Sequence, residues 1–149
     1  LLDETAARKR VEIEGVPVQV VTVHLQSGML ARGYSAQLRS LLGCVTRGVC
    51  EGDKAPTPLP RAKGLVIGGD FNTWHSALGD RLATAMSGAS LEPVEGIFGT
   101  FSKSLDDIAG KYTFDYFFST PGLGTGPGRV GRVRTGSDHF PIEAVFKIP

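Results

Sequence analysis

The five residues Gly64-Leu65-Val66-Ile67-Gly68 contain no polar side chain and are too few for a helix that packs. A run of this kind suits a strand covered on both faces, so the fold must place a layer on each side of it. It stops at Gly69-Asp70-Phe71-Asn72, where polarity returns abruptly at the strand end. The rest of the chain supplies candidates for the covering layers. Arg10 to Glu14 alternates polar and apolar, Gly15-Val16-Pro17 interrupts the pattern, and Val18 to Leu25 resumes it with β-branched residues. This reads as a hairpin feeding a central strand that ends near His24.

Leu30, Tyr34, Leu38, Leu41, Leu42 and Val45 recur at helical spacing and predict an amphipathic helix over about 30–43. Trp74, Leu78, Leu82 and Met86 predict a second helix ended by Ser87-Gly88. Between them, Cys50 to Lys63 carries Pro56, Pro58 and Pro60 and reads as a surface loop. Short strands are expected near Ile97–Phe101, Phe114–Phe118 and Pro141–Ile148. Gly122 to Gly136 holds six glycines and one proline in 15 residues and reads as loop. Strands with two covering helices, over 149 residues without an internal repeat, imply one α+β layered domain.

Composition bounds the function. Hydrophobic residues make up 41% of the chain, enough for a core and unlike a disordered segment. Sixteen basic and 15 acidic residues give a net charge of +1, which does not announce a nucleic-acid binder. No apolar stretch approaches the roughly 20 residues of a membrane span, so no transmembrane segment is expected. Cys44 and Cys50 fit no zinc spacing. They read as ordinary free thiols, with closure of a small loop as the alternative.

Three polar clusters lie at or near predicted strand ends. Asp70 and Asn72 are i and i+2, a spacing that aims a carboxylate and a carboxamide the same way from an extended chain. Gly-Asp-x-Asn is also good turn chemistry by itself. Asp115 interrupts the apolar Phe114-Asp115-Tyr116-Phe117-Phe118, where a carboxylate needs a partner, a task or a solvent face. His139, in Ser137-Asp138-His139, is a suitable partner, because a carboxylate on one imidazole nitrogen fixes the tautomer and raises the basicity of the other. Ser-Asp-His alone is also common at caps and turns.

Taken in order, Thr22-Val23-His24-Leu25, Gly69-Asp70-Phe71-Asn72, Phe114-Asp115-Tyr116 and Ser137-Asp138-His139-Phe140-Pro141 resemble the endonuclease/exonuclease/phosphatase superfamily. The resemblance runs from about residue 10 to 148. It implies a layered α/β/β/α sandwich of the deoxyribonuclease I-like type, with residues 1–149 forming the C-terminal portion of one such domain. It implies a hydrolase, a magnesium-dependent phosphoesterase or phosphodiesterase, with manganese as the other candidate metal. The substrate would be a phosphate ester of nucleic acid, phospholipid or inositol phosphate. The alternative is a catalytically inactive fragment or binding module of the same fold.

The resemblance also implies roles. His139 would contact the scissile phosphate, oriented by Asp115. Asp70 would position or deprotonate the attacking water, and would contribute to the metal site with Asp138. Asn72 would hold the water or phosphate oxygens, and His24 would be a second phosphate donor. Such a set suits the reaction, because charge accumulates on phosphate oxygens while a carboxylate aligns water, and magnesium prefers oxygen ligands. The family's principal metal-binding Glu belongs to an earlier segment, and nothing in residues 1–23 matches it. The expectation is therefore that a missing N-terminal segment completes the domain, and that this fragment alone is inactive.

Other patterns are set aside. Gly126-Pro127-Gly128-Arg129-Val130-Gly131 has dinucleotide-loop spacing but no strong strand before it and no helix after it. Gly33-Tyr34-Ser35-Ala36-Gln37 lacks the second glycine of a nucleophile elbow. Arg129, Arg132 and Arg134 read as a solvated loop, or as contacts to an anionic substrate. Trp74 and Tyr116 read as packing rather than base stacking.

Overall fold

A computed structural model describes residues 6–26, 31–47, 63–102, 110–123, 126–133 and 136–147 of the chain. Strand β1 (Ala6–Ile13) turns through Glu14 and Gly15 into β2 (Val16–His24). Both turn residues have positive φ, 51° and 79°, which matches the twist of a two-residue hairpin. The break therefore falls one residue earlier than the sequence pattern placed it. Pro17 is accommodated near the start of β2, a position where proline is tolerated.

Helix α1 (Ala31–Arg47) precedes β3 (Gly64–Asp70), which pairs parallel to β2. Helix α2 (Ser76–Gly88) follows, then the short β4 (Glu92–Pro93) and β5 (Asp115–Ser119). The five strands form one sheet in the order β1-β2-β3-β5-β4, antiparallel except for β2–β3. Strands β6 (Arg129–Val130) and β7 (Ile142–Glu143) make a separate two-stranded ribbon.

The apolar run is strand β3, and Gly64 to Gly68 are all buried. Period-two alternation divides it between two cores. Leu65 and Ile67 pack with Val21, Val23 and Phe118 against the helical residues Tyr34, Leu38, Leu41, Leu82 and Met86. Val66 faces the other way, with Val18, Leu123, Phe117 and Phe146. Fully burying a side chain such as Ile67 contributes about 1.5–3 kcal/mol, so the central strand anchors both layers. Gly68 lies beneath the Phe117 ring, and any Cβ there would overlap it.

Four expectations change. Helix α1 runs on to Arg47, because Val45 continues the buried face. The predicted strand at 97–101 is reduced to isolated bridges from Phe101 to Tyr112 and His139. Of the alternating tail 141–148, the described residues up to Lys147 form the two-residue β7 and a bridge at Phe146, because alternation becomes a strand only where a partner strand is alongside. Cys44 is disulfide-bonded, not a free thiol; the other cysteine of the chain, Cys50, lies outside the described residues. The proline-rich segment 50–62 also lies outside them, as does Arg134.

Candidate functional site

Sheet register alone gathers most of the site. His24 is paired with Asp70 across β2–β3, and Asp70 with Asp115 across β3–β5. Three polar residues thus stand abreast at one end of three neighbouring strands. The close approach of β2 to β3 depends on Gly69, whose φ is 139°. A Cβ there would collide with the Val23 carbonyl oxygen.

Two carboxylates directly opposite each other repel. His139 lies between them. Its Nδ1 is 2.8 Å from Asp115 Oδ2, and its Nε2 is 3.7 Å from Asp70 Oδ2. An ionised carboxylate can only accept, so Nδ1 carries the proton and Nε2 faces Asp70. His24 Nε2 stands 3.5 Å from the same Asp70 oxygen. The longer separations are beyond good hydrogen-bond length. They leave the two imidazoles flanking one carboxylate oxygen, with His24 exposed and His139 and Asp70 part-buried.

Asp70 is held by the residue that follows Phe71. The chain leaves extended geometry at Asn72, where φ is 48°, a value Asn tolerates better than most residues. The Asn72 N–H donates to Asp70 Oδ1 at 2.8 Å, closing an Asx turn. Asn72 Nδ2 donates to Leu25 O at 2.7 Å and Asp70 Oδ2 at 3.1 Å. Asn72 and Asp70 therefore meet through a turn, not through strand parity, and turn chemistry and site geometry coincide. Burial pushes the Asp70 carboxyl above the ordinary carboxylate range, and Asp115 adds to this; the Asn72 N–H and the two histidines oppose it.

Several supporting residues carried no sequence signal. Thr100 is fully buried, and its Oγ1 accepts from the Phe114 and Asp115 N–H groups at 3.0 and 3.1 Å. Its carbonyl accepts from Phe140 N at 2.7 Å. One threonine thus ties the strand of Asp115 to the segment of His139. Thr73 Oγ1 donates to Thr113 O at 2.8 Å and lies 3.0 Å from Tyr116 Oη, which holds the Asn72 turn against the approach to β5. Burial raises the Tyr116 phenol above its ordinary value, Thr73 opposes this, and Asp115 adds to it. Phe101 meets the His139 imidazole in a T-shaped contact with ring centroids 5.0 Å apart, and stacks on Phe114 with centroids 4.7 Å apart. Trp74 packs 4.5 Å from Phe114, as packing predicts, but its Nε1 also donates to Asn72 Oδ1 at 3.1 Å.

Asp138 is exposed, and its carbonyl accepts from Ser102 N at 3.1 Å. Ser137 Oγ accepts from the His139 N–H at 3.0 Å, the local turn expected of Ser-Asp-His. His75 is exposed at the N-cap of α2 and makes no side-chain cap there. Arg132 donates to the carbonyls of Phe98 and Gly99 at 2.9 and 2.7 Å and lies over the Phe140 ring, which makes it a loop tie as well as a surface charge. Among the described residues, no group of three or more His, Cys, Asp or Glu is placed to hold a metal ion. Each Asp70 oxygen accepts one hydrogen bond from Asn72, which leaves lone pairs on both for a further partner. Also among the described residues, no helix is long and apolar enough to cross a membrane.

Comparison with known proteins matches residues 40–139 to the sequence pattern described as the Endonuclease/Exonuclease/phosphatase family. No curated protein sequence matches significantly. Among solved structures, the endonuclease domain of TRAS1, a telomere-specific non-LTR retrotransposon, is 20% identical with a TM-score of 0.61, over 93% of this chain and 59% of that one. Beta toxin from Staphylococcus aureus is 19% identical with a TM-score of 0.66, over 96% of this chain and 57% of that one. The inositol polyphosphate 5-phosphatase domain of SPsynaptojanin, in complex with inositol (1,4)-bisphosphate and calcium ion, is 17% identical with a TM-score of 0.63, over 97% of this chain and 51% of that one. These likenesses establish the fold as α+β of the deoxyribonuclease I-like type. The chain spans little more than half the length of each.

Proposed function

The chain belongs to the endonuclease/exonuclease/phosphatase family, and on that premise we propose that it carries the water-aligning and phosphate-holding part of a metal-dependent phosphoesterase site. The observation that carries this reading is the His139 imidazole, fixed by Asp115 at 2.8 Å with its other nitrogen turned to Asp70. A carboxylate that sets the tautomer leaves Nε2 free to hold a proton for a phosphate oxygen. His24, on the other side of the same Asp70 oxygen, offers a second donor to the developing charge. Asp70 aligns the attacking water and accepts its proton, and the raised carboxyl makes it a stronger base than an exposed aspartate.

Magnesium, with manganese as the alternative, would neutralise charge on the phosphate oxygens. Its principal ligand is expected from a segment outside this chain, with Asp138 and Asp70 adding oxygen donors. The substrate is a phosphate ester of nucleic acid, phospholipid or inositol phosphate. A second reading is a catalytically inactive fragment or binding module of the same fold, supported by the chain's spanning little more than half the length of the solved structures that it resembles.

Hydrolysis of bis(p-nitrophenyl) phosphate separates these readings. The completed protein is expected to turn it over in Mg²⁺ and to stop in EDTA, with His139→Ala slower by about 10²–10⁴-fold. The isolated segment is expected to show little turnover. No EDTA-sensitive hydrolysis by the completed protein would sink the enzyme reading.

A further inference from the structure

The Asn72 carboxamide faces partners that can each bond in one sense only. On one side stands the Trp74 indole, at 3.1 Å from Oδ1, and an indole N–H can only donate. On the other stand the Leu25 carbonyl at 2.7 Å and the Asp70 carboxylate at 3.1 Å from Nδ2, which can only accept. The orientation of the amide is therefore dictated by chemistry. A flipped amide would set its oxygen against two acceptors and its NH₂ against a donor. Asn72 is 5% exposed, so no bulk water is at hand to repair the mismatch. Both amide hydrogens are committed within the protein, which makes Asn72 a group that fixes Asp70 more than one that reaches for substrate.

We propose that Trp74 is a positioning residue of the site, whose indole N–H locks the Asn72 amide so that its NH₂ holds the Asp70 carboxylate toward His24 and His139. The indole is itself pinned by rings on a different element. It lies 4.5 Å from Phe114 and 5.6 Å from Phe101, and Phe101 in turn touches the His139 ring at 5.0 Å. The same aromatic cluster thereby sets both sides of the site: His139 by ring contact, and Asp70 through Trp74 and Asn72. The inference deepens the phosphoesterase reading and rests on it for its kinetic consequence, whereas the locked amide stands without it.

The test is Trp74→Phe in the completed protein, which keeps an aromatic ring and removes the donor. A second variant carries, at position 74, the tryptophan analogue with sulfur in place of the indole N–H, which retains the full shape should the Phe variant fold poorly. Side-chain amide protons of Asn72, followed by ¹⁵N NMR, are expected to be protected from exchange in the parent and to lose that protection in both variants. With bis(p-nitrophenyl) phosphate, kcat is expected to fall about tenfold, the effect of one lost hydrogen bond, with KM little changed. In an Asn72→Ala background the Trp74 substitution should add nothing further. Unchanged amide protection in both variants, or effects on kcat that simply multiply, would overturn the proposal. If the parent shows no turnover at all, the phosphoesterase reading fails, while the amide exchange still decides the role of Trp74.

Discussion

Replacing Thr100 with Val tests whether one buried hydroxyl holds the site together. The substitution keeps the shape of the side chain and removes only the oxygen. Thr100 is fully buried, so water cannot take the place of that oxygen. Two backbone donors, the N–H groups of Phe114 and Asp115, are left without it. Each buried unsatisfied donor costs about 1–3 kcal/mol, so the loss should be about 2–6 kcal/mol. That is a large part of the 5–15 kcal/mol typical of a folded domain. Thr100→Ser retains the oxygen and loses one methyl, and should cost about 1 kcal/mol. Urea-induced unfolding of the two variants and the parent, at matched slopes, gives both numbers. The Val variant should also slow turnover, because Asp115 sets His139 and both are tied to Thr100. A Val variant within about 0.5 kcal/mol of the parent, or a Ser variant as unstable as the Val, would refute the reasoning.

Three further outcomes follow from the geometry. Burial raises the Asp70 carboxyl in the folded state, so the folded protein binds that proton more tightly than the unfolded chain; its contribution to stability falls as pH rises from the unfolded value of 3.8 through the folded one. Unfolded by urea in EDTA, Asp70→Asn should therefore gain stability on the parent between pH 4 and pH 7, and assayed separately in Mg²⁺ it should lose turnover; the opposite stability trend would show the sign to be wrong. Gly69→Ala forces β2 and β3 apart at the Val23 carbonyl and should cost at least about 3 kcal/mol, read by thermal unfolding; a variant as stable as the parent would remove the close-approach argument. Tyr34 is 1% exposed, its hydroxyl has no hydrogen-bond partner among the described residues, and burial, Tyr116 and Asp70 together push its phenol up. Tyr34→Phe should accordingly be neutral or stabilising by about 1 kcal/mol in urea unfolding, and a marked loss would mean that the hydroxyl is satisfied in solution.

The sequence by itself determined the strand that organises the molecule. Gly64 to Gly68 had no polar face to expose, so cover on each side was unavoidable: the helices supply it on one face, and Leu123, Phe117 and Phe146 pack on the other. It also determined which residues cluster, because His24, Asp70, Asp115 and His139 each lie at or beside a strand end, and strand ends on one sheet meet when the strands pair in register. The spacing of Leu38, Leu41 and Val45 fixed the buried face of α1 in the same way, since helical period and burial are one signal. What pattern could not carry was anything that depends on a partner from elsewhere in the chain. The tail from Pro141 alternates well, yet among its described residues only two form β7, because a strand exists only where another strand offers its hydrogen bonds. Thr100 looks like any threonine until folding brings two orphan N–H groups to its oxygen, and the Trp74 indole is pinned only when Phe114 is brought against it. Asp70 and Asn72 were placed together for a reason of strand parity that the positive φ of Asn72 removes; the turn, not the strand, joins them. Local periodicity and the Asp70–Asn72 turn are written in neighbouring residues, whereas the contacts that bring His139 to Asp115 and Asp70, and that tie Asn72 to the Leu25 carbonyl, run between residues far apart in sequence, and only the tertiary structure decides them.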